Sequence, residues 1–159
     1  MVFVVKDTIS PDETIRIRWD ESEPRMSIVL QNPIVVRQRD ELVVAVFPSS
    51  WTASVVEWPA PGRVTFELMN YPRGDIRTRV TVDVERQRCF TKDAERPASA
   101  IDGLLEDALA KAIGPLVLRP DGSCPFCANA SAIVARGADR VECVICERMY
   151  PSVGGRRPG

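Results

Sequence analysis

Two short stretches, Cys124-Pro125-Phe126-Cys127 and Cys143-Val144-Ile145-Cys146, hold the chain's most legible chemistry: two C-x-x-C pairs separated by fifteen residues. Each pair brings two thiols to one tight turn, and a hairpin between the turns can close four thiolates into a tetrahedron. Zn2+ suits four sulfurs because it is borderline-soft and imposes no d-electron geometry, and iron accepts the same donors. The spacing predicts a structural metal on Cys124, Cys127, Cys143 and Cys146, zinc by preference and iron as the alternative. Four sulfurs fill the coordination sphere and leave no open position for water, which argues against a catalytic ion. A redox couple would need only one pair, at the start of a helix after a strand.

The two pairs resemble the knuckles of zinc-ribbon modules, which commonly read C-P-x-C-G and C-x-x-C-G. Ala128 and Glu147 stand where those knuckles carry glycine, whose positive φ lets backbone N–H groups point at sulfur. The resemblance covers residues 120–151 and implies a small metal-stapled binding module without an activity of its own.

The chain contains no histidine. Ser-His-Asp and Cys-His pairs are therefore excluded, as is the zinc deaminase pattern, whose H-x-E half needs that residue. The fifth cysteine, Cys89, lies outside both pairs, with Arg86 and Arg88 nearby to lower a thiol pKa. The order of a strand, Tyr71-Pro72, further strands, Cys89 and a helix resembles the ubiquitin-conjugating fold, which implies a transferase with Cys89 as its catalytic nucleophile. The plainer reading of Cys89 is a small buried hydrophobe at a strand end.

The net charge is −1, and of 21 basic side chains only Lys6, Lys92 and Lys111 are lysines. That balance lacks the basic surface of a non-specific nucleic-acid binder. A local version remains open, with Arg136, Arg140 and Arg148, joined by Arg119, Arg156 and Arg157, on phosphate and Phe126 or Tyr150 stacking on bases. The alternative for these arginines is a solvated surface, since acids are interspersed among them.

The elements that must position these groups follow from periodicity. Ile15, Ile17 and Trp19 alternate with Arg16 and Arg18; Val64, Phe66 and Leu68 form one face, and Val80, Val82 and Val84 another. With MSIVLQNPIVV, interrupted at Asn32-Pro33, and the runs 41–48 and 54–59, these make about six strands, and FVVK at the N-terminus offers another. Phe47, Trp51 and Trp58 read as core rather than pocket lining. Ile101, Leu104, Leu105, Ala108, Leu109, Ala112 and Ile113 fall on one helical stripe, with Ser99 as N-cap and Gly114-Pro115 as the stop.

The expected fold class is α+β: a mainly antiparallel sheet covered by one amphipathic helix over about 99–113, followed by a small zinc ribbon. Residues 1–115 form the β-rich domain, 120–151 the ribbon and 152–159 a disordered tail. No apolar run reaches the ~18 residues of a membrane span, and MVFVVKDTIS lacks the apolar region of a signal peptide, so a cytoplasmic protein without membrane contact is expected. Taken together, these features favour a non-catalytic interaction or adaptor protein with a protein partner. A nucleic-acid-associated factor and the Cys89 transferase are the alternatives.

Overall fold

A computed structural model describes residues 7–25, 28–71, 74–114, 118–125, 133–144 and 148–151. The chain divides into two compact units, 1–106 and 107–159. The first unit holds two antiparallel sheets. One has the order β1 (Thr8–Ile9), β2 (Ile15–Arg25), β3 (Ile28–Arg37), β4 (Leu42–Val46). The other runs β5 (Trp51–Glu57), β6 (Arg63–Asn70), β7 (Arg77–Asp83), β8 (Arg88–Phe90), β9 (Glu95–Pro97). Every strand pairs with its neighbour in sequence, so each sheet is a meander closed by local turns.

Alternation sets the buried faces. Val64 pairs with Val82 and Phe66 with Val80, and all four are fully buried together with Leu68. Ile17 pairs with Val35 in the first sheet, and both are again fully buried. Phe66 joins the two layers: its ring meets Phe47 at 4.9 Å and Trp19 at 6.3 Å, both edge-on. Phe47 and Trp51 are core residues, as their apolar character suggests, whereas Trp58 is half-buried.

Pro33 does not break β3. It stands opposite Trp19, and its carbonyl accepts the Phe47 N–H at 3.2 Å, just past the last β3–β4 pair, Ile34 with Val46. Carbonyl and nitrogen of one strand residue point to the same side, so its missing N–H falls where β4 ends, a position a sheet tolerates.

One expectation fails here. The chain is β-rich and not the expected α+β arrangement of a mainly antiparallel sheet covered by one helix and followed by a ribbon. Half of the described residues are strand, distributed over three sheets, against one short helix. In the first unit the two sheets meet directly, through the Phe66 ring against Phe47 and Trp19 and the Asn32 amide on the Trp51 carbonyl. The physical reason is that a period of two reports that one face is dry, not what dries it. The helix α1 (Ile101–Ile113) exists, with Ile101, Leu104, Leu105 and Leu109 buried, and it ends at Gly114, whose φ of 87° and N–H to the Ala110 carbonyl close the last turn. Ser99 is not its cap. It lies inside a 3-10 turn, Ala98–Ala100, which follows Pro97 (φ −53°) and has no side-chain cap.

Three hairpin turns use non-glycine residues at positive φ: Glu13 (62°) before β2, Glu41 (54°) before β4 and Gln87 (53°) before β8. Such turns match the right-handed twist of paired strands. Without an Asn-Gly or Asp-Gly signature they are hard to place from sequence.

The second unit contains a three-stranded antiparallel sheet, β10 (Ile133–Ala135), β11 (Arg140–Cys143), β12 (Met149–Pro151). The turn between β10 and β11 uses Gly137 at φ 106° and is closed by the Arg136 N–H on the Arg140 carbonyl. FVVK at the N-terminus and the tail 152–159 lie outside the described residues. No helix among the described residues is long and apolar enough to cross a membrane.

Candidate metal centre

Cys124 is delivered by a tight turn. Gly122, at φ 82°, donates its N–H to the Arg119 carbonyl, and the Arg119 N–H bonds to the Ser123 carbonyl at 3.0 Å. Asp121 locks the turn by accepting both the Ser123 N–H (2.9 Å) and the Ser123 hydroxyl (2.6 Å). The Ser123 hydroxyl is the first reason that the Asp121 carboxyl titrates below the ordinary carboxylate range. The next side chain, Cys124, is fully buried.

Cys143 arrives by a different route, at the end of β11, where its N–H donates to the Arg148 carbonyl at 2.9 Å. Alternation along β11 buries Val141 and Cys143 and turns Arg140 outward. Val141 stands directly opposite Tyr150 of β12, so Val141, Cys143 and Tyr150 share one buried face. The Cys124 sulfur lies 3.0 Å from the Tyr150 hydroxyl oxygen. One cysteine of each C-x-x-C pair thus reaches the same dry side of the three-stranded sheet.

For these two residues the surroundings fit a thiolate ligand: both are buried, and a phenolic O–H stands within donating distance of sulfur. Cys127 and Cys146, the second member of each pair, lie outside the described residues, as do Ala128 and Glu147. Among the described residues no group of three or more metal-ligating side chains is assembled.

The arginines expected to meet phosphate are placed variously. Arg136 forms an ion pair with Glu142 at 3.1 Å, Arg140 is exposed on β11, and Arg148 is half-buried with its carbonyl committed to Cys143. Arg119 donates to the Pro125 carbonyl at 3.4 Å. Tyr150, at 2% exposure, offers no open ring face for a base, so its stacking role does not hold; Arg156, Arg157 and Phe126 lie outside the described residues.

Cys89 sits in β8 opposite Val82 and is fully buried, with its thiol directed at the Pro97 carbonyl at 3.6 Å. Burial raises its pKa, and the neighbouring Arg88 and Arg96 offset that only in part. A nucleophile needs an accessible thiolate, and this environment disfavours both access and ionisation.

The Tyr150 contact was not visible in the sequence, since the hydroxyl reaches a cysteine 26 residues away through the pairing of β12. No family model matches the chain, and no curated protein and no solved structure matches it.

Proposed function

We propose that the chain is a non-catalytic interaction protein, an accessory part of a larger assembly, whose C-terminal unit is stapled by one zinc ion on Cys124, Cys127, Cys143 and Cys146. The observation that carries this reading is the arrival of Cys124 and Cys143, one from each pair, on a single buried face of the three-stranded sheet. When bound, the ion supplies cross-linking and no reaction, because four thiolates complete its sphere. Such a staple lets a unit with a small core present a fixed surface. On the other side of that sheet Val134, Glu142 and Met149 stand in register across the three strands, and Val134 and Met149 are 39% and 44% exposed.

The test is metal analysis of the full chain prepared anaerobically. One zinc per chain is expected, and iron in its place would announce itself by thiolate-to-iron absorption. Metal-free protein ends the proposal. The nucleic-acid alternative has less behind it, since Glu142 neutralises Arg136 and Tyr150 is buried.

A further inference from the structure

We infer that Tyr150 is an outer-shell residue of the thiolate centre, donating its O–H to the Cys124 sulfur and thereby setting how firmly the ion is held. The inference rests on the metal reading above and adds a role for a residue that belongs to neither C-x-x-C pair.

Three features carry it. The distance, 3.0 Å between oxygen and sulfur, is that of a hydrogen bond. Either atom can donate while Cys124 is a thiol, but a metal-bound cysteine is a thiolate without a proton, so the phenol becomes the donor. Both partners are buried, Cys124 completely and Tyr150 to within 2% of its surface, so water does not compete for the sulfur. In a low-dielectric site a bond to a charged acceptor is stronger than the same bond in water.

The orientation of the phenol is also fixed by the fold. Tyr150 is the middle residue of β12, opposite Val141, which holds its ring on the face that also carries Cys143. Cys124 comes from the separate turn at 119–123, so the hydroxyl links the first cysteine pair to the strand beside the second. A zinc-bound sulfur gains from such a donor because it spreads the anionic charge, and loss of an outer-shell partner typically costs 10–100-fold in metal affinity.

Tyr150→Phe keeps the ring and removes only the oxygen. In full-length protein loaded with zinc, this variant is expected to retain one ion per chain yet release it to a competing chelator at a concentration roughly 10–100-fold lower than wild type. In cobalt-substituted protein the sulfur-to-metal charge-transfer band should move to longer wavelength, because an unbonded thiolate is easier to oxidise. Tyr150→Leu, which also loses the ring, separates the two contributions: if the oxygen matters, most of the effect is already present in the phenylalanine variant. A loaded wild type whose Tyr150→Phe form matches it in affinity and spectrum overturns the outer-shell role while leaving the metal reading intact. Wild-type protein that holds no metal overturns both.

Discussion

The side-chain amide of Asn32, on β3, donates to the backbone carbonyl of Trp51, on β5, at 2.6 Å, and a second bond from the same nitrogen reaches the Pro48 carbonyl at 3.1 Å. One buried amide therefore fastens the first sheet to the opening of the second. Asn32→Ala takes this donor from the buried Trp51 carbonyl, while the Pro48 carbonyl keeps the Trp51 N–H at 3.2 Å, for an expected cost of about 1–3 kcal/mol of stability. Urea unfolding should show a lower midpoint at unchanged slope. An unshifted midpoint would mean that this joint is redundant with the apolar contacts around it.

Phe66 gives a second measure of how the sheets depend on each other, because its ring touches Phe47 and Trp19 from the opposite layer. Phe66→Ala removes those contacts and leaves a cavity, for an expected loss of about 3–5 kcal/mol. Thermal and urea melts read it directly, and a loss under about 1 kcal/mol would place the inter-sheet energy elsewhere.

Asn70 makes the opposite prediction. It is 1% exposed, and among the described residues neither its side-chain nitrogen nor its oxygen has a hydrogen-bond partner. Replacing an unsatisfied buried amide by an apolar group of similar shape removes a desolvation cost, so Asn70→Leu should raise stability by roughly 1 kcal/mol or more. A destabilised Asn70→Leu protein would show that the amide is satisfied in solution.

The turn before β2 predicts an acid-side titration. Asp12 accepts the hydroxyls of Ser10 (2.6 Å) and Thr14 (2.7 Å), and its pKa falls from 3.8 to about 2, the Ser10 bond being the largest cause. Asp40 falls likewise to about 2 because Arg37 grips it with two nitrogens. Folded values below the unfolded ones mean that this stabilisation is complete above the unfolded pKa near 3.8 and is lost as pH drops through about 2. Carboxyl-carbon NMR should find both midpoints low, and Ser10→Ala should move only Asp12 back toward 3.8. A normal Asp12 midpoint in wild type would contradict the turn geometry.

Cys89 predicts inertness. Its pKa is raised above the ordinary thiol value by burial, so the folded chain disfavours the thiolate and its contribution to stability is held below pH 9 and lost above it. Iodoacetamide at pH 8 should label Cys89 only as fast as the protein unfolds, detectable by mass spectrometry with and without denaturant. Rapid labelling under native conditions would reopen the nucleophile reading.

The sequence by itself located the longer strands of the first unit and the dry face of two of them, though not the short strands β8, β9 and β12: Val64, Phe66, Leu68, Val80 and Val82 alternate as read and are all buried, and the stripe of Ile101, Leu104, Leu105 and Leu109 forms its helix. These are local properties, written into spacing, as are the two cysteine pairs that nominate a metal. Only the tertiary structure decided that the strands part between Val46 and Trp51 into two sheets rather than lying in one under a helix. Only the fold, likewise, could bring the Tyr150 hydroxyl to the Cys124 sulfur and bury Cys89 completely. Side-chain periodicity encodes that a surface must leave water, while the identity of what covers it depends on contacts between residues far apart in the chain, which no short window of sequence contains.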